Sequence, residues 1–126
     1  MGVEGRDLAA CYPSAMFLHA IDHLQRLSLV ARGFRSRRVP TSIGRVHVLD
    51  APGRGAGPPL VVLHGFSAAA VHFQSVLPSL RRHVRHLVAP DLPGHGFSDL
   101  PASGIGSHTV RTGLRDLSIS RTSIQW

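Results

Sequence analysis

The feature that most constrains this chain is Leu60-Val-Val-Leu63, four consecutive apolar residues that stop abruptly at His64-Gly65. A strand with one wet face alternates apolar and polar residues. An unbroken run bounded by turn residues instead predicts a strand covered on both faces, as in a parallel sheet. Phe73, Val76, Leu77 and Leu80 then recur at helical spacing, and Pro78 inside that stripe predicts a kink or an irregular last turn. Val84 to Ala89 is a second strand-like run, ending in the Pro/Gly-rich loop Pro90-Asp-Leu-Pro-Gly-His-Gly96. Strand, crossover helix and parallel strand make one βαβ unit, the building block of a doubly wound α/β sheet.

Upstream, Arg37 to Thr41 and Arg45 to Ala51 read as a hairpin turning at Ser42-Ile43-Gly44, with Val46 and Val48 on its buried face against Arg45 and His47. Pro52 to Pro59 is a turn-rich connection. It precedes a strand rather than opening a helix, so its glycines do not form a dinucleotide-binding loop. Between Ser14 and Gly33 the residues Phe17, Ala20, Ile21, Leu24, Leu27 and Ala31 form an amphipathic helix with His19, Asp22, His23, Gln25 and Arg26 on its polar side. Packing of the apolar stripe on the domain is expected. The polar side lacks the dense cationic charge of a membrane-surface helix.

The motifs Leu60-Val-Val-Leu-His-Gly-Phe-Ser67 and Val88-Ala-Pro-Asp-Leu-Pro-Gly-His-Gly-Phe-Ser-Asp99, in that order, resemble the front half of the α/β-hydrolase fold superfamily. The resemblance covers Arg37 to Asp99. It implies an α/β fold in which this chain supplies the N-terminal portion of the sheet, the hairpin plus one βαβ unit. It also implies hydrolysis of an ester or related bond by a nucleophile, an acid and a histidine, with no cofactor and no metal. Three segments are expected: an amphipathic helical segment over 1–33, a partial hydrolase domain over 34–104, and an atypical, disordered or out-of-frame tail over 105–126.

Within the resemblance, His64, Gly65, Phe66 and Ser67 occupy the oxyanion loop, and the Phe66 backbone N–H is one of the two donors that hold the oxyanion. Asp91, Gly94, His95, Gly96 and Ser98 form a scaffold loop beside the cleft, with glycines for tight turns and Asp91 accepting backbone N–H groups. Ser67 and Ser98 each follow Gly-Phe, yet neither has the second glycine of a nucleophile elbow. Family order puts nucleophile, acid and catalytic histidine later than any residue matched here. The chain is therefore expected to be inactive alone, taking a small ester-like substrate only once the domain is completed. The alternative is a non-enzymatic interaction protein, or half of a split hydrolase completed by a partner chain.

In the strand order the resemblance implies, Leu60–Leu63 also pairs with the nucleophile strand, which is not among the matched residues; an open apolar edge and self-association are therefore expected. A net charge of +7 carried by 14 cationic residues, all of them arginine, raises a polyanion partner. The total absence of lysine points to a codon preference rather than a binding face, so nucleic acid is not expected. Histidines 83 and 86 are an odd number apart in a strand and face opposite ways, which disfavours a metal site. The single Cys11 asks for no oxidising compartment, and Leu8-Ala-Ala-Cys11 lacks the apolar run of a lipoprotein signal. With no run long enough to span a bilayer, a cytoplasmic location is expected.

Overall fold

The computed structural model of the protein describes residues 13–119. Cys11 and residues 120–126 of the tail lie outside them. In chain order the elements are α1 (Pro13–Ala31), β1 (Arg35–Thr41), β2 (Gly44–Pro52), β3 (Leu60–Val61), a 3₁₀ turn (Ala70–Phe73), α2 (Leu77–Leu80), β4 (His86–Pro90) and α3 (Ser107–Ile119).

The four strands form one mixed sheet in the order β1-β2-β4-β3. β1 and β2 pair antiparallel with Val39 opposite Val46, β2 and β4 antiparallel with Leu49 opposite Ala89, and β3 and β4 parallel with Val61 opposite Val88. The period of two along each strand sends Leu49, Ala51, Leu87 and Ala89 to one face, where Leu29 of α1, Phe34, Val71 and Leu77 pack on them. Val46, Val48 and Val88 point to the other face and meet Leu114 and Leu117 of α3. The result is an α/β sheet with helices on both sides, as the βαβ reading requires.

Four details depart from that reading. The crossover stripe is broken into a 3₁₀ turn and a four-residue helix, with Pro78 in the first helical turn where its missing N–H costs nothing. β3 forms only two ladder residues, and Val61 and Leu63 are 43% and 48% exposed rather than covered. The third concerns the expected irregular tail. Over Ser107–Ile119 it is a helix, because Val110, Leu114 and Leu117 at four- and three-residue steps make a short apolar stripe among its Ser, Thr and Arg residues. Thr109 fastens its start, its hydroxyl accepting from the Gly106 N–H at 3.0 Å.

Finally, α1 is inverted. Phe17, Leu24 and Leu27 of the expected packing stripe are 66%, 66% and 53% exposed. The polar side instead faces the domain: Asp22 pairs with His72 at 3.1 Å, and the Arg26 guanidinium lies 5.5 Å from the centre of the Phe97 ring.

Candidate functional site

The loops that follow β3 and β4 meet at one end of the sheet. Asp91, at the end of β4, is fully buried and is the knot between them. Its Oδ1 accepts the Ala70 N–H at 2.7 Å, and its Oδ2 accepts the Phe97 N–H at 3.0 Å and the His47 Nδ1–H at 2.8 Å. Burial opposes the carboxylate's charge. The hydrogen bonds from His47, Phe97 and Ala70 outweigh it and hold the Asp91 carboxyl below the usual range.

The second tie runs through His64. Its Nε2 accepts the Leu92 N–H at 2.9 Å, which fixes the proton on Nδ1, and Nδ1 lies 2.7 Å from the Gly65 carbonyl oxygen. The His64 imidazole thus clamps the loop after β3 to the loop after β4. Ser98 adds a third tie, donating from Oγ to the Asp91 carbonyl at 2.7 Å while accepting the His47 N–H at 2.8 Å.

Gly96 has φ of +52° and comes so close to Asp91 that an added Cβ would sit 2.4 Å from Oδ2. Only glycine fits there. Gly94, at φ +77°, lies under the side chain of Ile105. Beyond these ties the loop tip is open. Phe66 is 84% exposed, and its N–H donates to no acceptor among the described residues. Ser67 is held at φ +60°, a strained turn for a residue with a side chain. His95 comes from the scaffold loop, its ring 5.6 Å from that of Phe66 and 5.3 Å from that of His64. The structure therefore brings together Phe66, Ser67, His95 and Gly96 towards the surface, with His64 and Asp91 buried and Ser98 half-buried behind them.

Two polar residues of this network are not visible in the sequence patterns. His47, assigned to the polar face of a hairpin, is only 2% exposed, because β2 lies between β1 and β4 and both of its faces are covered. Its Nε2 lies 2.7 Å from Ser36 Oγ, completing a Ser36–His47–Asp91 relay. The relay has the chemical order of a hydrolytic triad. The His47 ring is sealed beneath Phe97, 5.2 Å away, and the Arg26 guanidinium stands 3.4 Å from the serine. It is internal bracing. His83 is exposed and His86 is buried beside Asp50 at 3.3 Å, and the described residues contain no group of three metal-binding side chains.

A strand, a clamped loop and a glycine-turned loop locked by a buried aspartate stand in the order that the two sequence motifs require. A family model for the alpha/beta hydrolase fold matches residues 58–120, half of the chain. The chain belongs to the α/β-hydrolase fold family. That match extends over the described residues of α3. A soluble epoxide hydrolase of Corynebacterium is 37% identical over 73 residues, covering 58% of this chain and 24% of that protein. Haloalkane dehalogenase 2 of Mycobacterium bovis is 38% identical over 73 residues, again covering 58% and 24%. Among solved structures, Cfl2 from Burkholderia cenocepacia superposes with a TM-score of 0.63 at 37% identity, covering 71% of this chain and 30% of its own. The epoxide hydrolase CorEH superposes at 0.59 and 31% identity, covering 71% and 30%. The chain spans about a quarter of the length of the curated relatives it matches.

Proposed function

We propose that this α/β-hydrolase chain carries the oxyanion-stabilising wall of a hydrolytic site for an ester, epoxide or carbon–halogen substrate. The carrying observation is the Phe66 N–H, without an acceptor among the described residues, on a loop clamped by His64 and Asp91. An N–H dipole fixed in advance stabilises negative charge as it develops on the reacting oxygen or leaving group, without reorganisation at the moment of reaction. The Phe66 ring and His95 line the mouth above it. On this reading the described residues supply the wall of the site, while nucleophile, acid and base are supplied elsewhere, and the isolated chain is expected not to turn over.

The test is a chimera in which residues 58–120 replace the matched segment of the Corynebacterium epoxide hydrolase, assayed beside the unfused chain. The chain alone is expected to show background hydrolysis and the chimera to be active. Phe66→Pro, which deletes the N–H, should lower the chimera's kcat by roughly 10²–10³-fold, while Phe66→Ala, which keeps it, should act mainly on KM. Turnover by the isolated chain, or equal rates for the proline and alanine variants, would refute the assignment.

A second reading, completion by another chain along β3, draws on a specific observation. β3 is an edge strand, and an apolar groove of about 210 Å³ lined by Val61, Leu63, Val88, Pro90, Leu114 and Leu117 lies beside it. A pairing strand would cover both. The same edge supports self-association of the chain.

A further inference from the structure

The inversion of α1 leaves Met16, Phe17, Leu24 and Leu27 facing solvent, 70%, 66%, 66% and 53% exposed. Where that helix ends, four arginines converge from three parts of the chain. Arg32 follows α1, Arg54 lies in the connection after β2, and Arg81 and Arg82 follow α2. With Pro78 they line an open cavity of about 490 Å³.

The cluster is braced before any ligand arrives. Arg81 donates from Nε to the Pro52 carbonyl and from a terminal nitrogen to the Arg32 carbonyl, both at 2.8 Å, and lies over the Phe34 ring. Arg32 reaches the Gln74 carbonyl at 3.4 Å. Among the described residues no carboxylate lies within ion-pair distance of any of the four. Asp50 is taken by Arg35 and Arg37, Asp91 by His47, Asp99 by Arg38, Asp22 by His72 and Asp116 by Arg115. Like charges held together without counter-ions gain from an anionic surface.

We propose that this face docks on an anionic lipid bilayer, with α1 lying in the interface plane, Phe17, Leu24 and Leu27 entering the acyl boundary, and Arg32, Arg54, Arg81 and Arg82 meeting phosphate headgroups. A nucleic acid would satisfy the arginines and leave the apolar strip in water. A bilayer satisfies both, and an apolar helix face next to a cationic cluster is the composition of interfacial anchors. The arginine density that α1 itself lacks is supplied by the connections packed against its end.

The test is flotation of the full chain with phosphatidylcholine vesicles and with vesicles containing about 30 mol% phosphatidylglycerol, whose negative surface potential attracts basic clusters. Flotation keeps self-associated protein from being scored as bound. Binding to the anionic vesicles at least tenfold above the neutral ones is expected. The pair Arg54→Glu and Arg82→Glu should abolish that excess, and Leu24→Ser with Leu27→Ser should weaken it about tenfold. All four side chains are surface groups, and circular dichroism checks the fold of each variant. Equal binding to both vesicle types, or none, overturns the proposal. So does indifference to the serine pair, which removes α1 from the interface, or binding of an RNA oligonucleotide in preference to anionic vesicles.

Discussion

Replacing Asp91 by asparagine preserves shape and removes charge, so its effect can be worked out bond by bond. The carboxylate accepts three hydrogens, two on Oδ2 and one on Oδ1. The amide offers one acceptor. Its best orientation places the carbonyl where Oδ2 stood and turns the NH₂ against the Ala70 N–H, which approaches Oδ1 at 2.7 Å. One buried N–H is then unpaired, costing about 1–3 kcal/mol, and two charge-assisted bonds become neutral ones at about 1 kcal/mol each. The sum is about 3–5 kcal/mol, a large part of the ~5–15 kcal/mol that holds a domain folded. With a urea slope of about 2 kcal/mol per molar, the unfolding midpoint should fall by about 2 M, readable by pulse proteolysis. The pH dependence gives an independent reading. Because the folded carboxyl titrates below its unfolded value of about 3.9, its stabilisation is complete above that pH and is lost as pH falls through the folded pKa. Asp91→Asn should therefore flatten the acid limb of the stability curve. A loss below about 1 kcal/mol, or an acid limb as steep as the parent's, would refute the view of Asp91 as the knot between the loops.

Two further outcomes follow from close approaches and open edges. Gly96→Ala places a Cβ 2.4 Å from Asp91 Oδ2 at φ +52° and should cost about 2 kcal/mol or more, seen as a fall in Tm of at least about 8 °C; an unchanged Tm would contradict the packing. Val61→Lys with Leu63→Lys puts charge on the β3 edge and should shift the chain from self-associated species to monomer in light scattering. An unaltered mass distribution would place the association elsewhere.

The order of strands and the two loop motifs were legible because they rest on local signals: an apolar run, a glycine at a strand end, an aspartate before a glycine-turned loop. What escaped is tertiary. His47 and Asp50 sit on a strand whose neighbours cover both faces, and alternation alone cannot say which polar residue is inside. Val61 and Leu63 look doubly covered, yet β3 is an edge strand and they are 43% and 48% exposed. In α3 a real but brief stripe, Val110, Leu114 and Leu117, was outweighed by the polar composition around it. In α1 the stripe was read correctly and its direction was not, because an ion pair between Asp22 and His72 and the seating of Leu29 draw the other side inward.

The sheet's pairing is uneven, and that unevenness sets the order in which its amides open to solvent. The hairpin and β4 share long antiparallel ladders, whereas β3 is held by two ladder residues and one further bond, from the Val62 N–H to the Val88 carbonyl at 2.8 Å. In native-state hydrogen exchange, residues 60–63 should lose protection first and β2 last. The loop bearing the Phe66 N–H hangs from that weakest strand. By linkage, any strand laid along the β3 edge should slow exchange in the loop as well as in the sheet, so the order of that loop depends on what pairs with its strand.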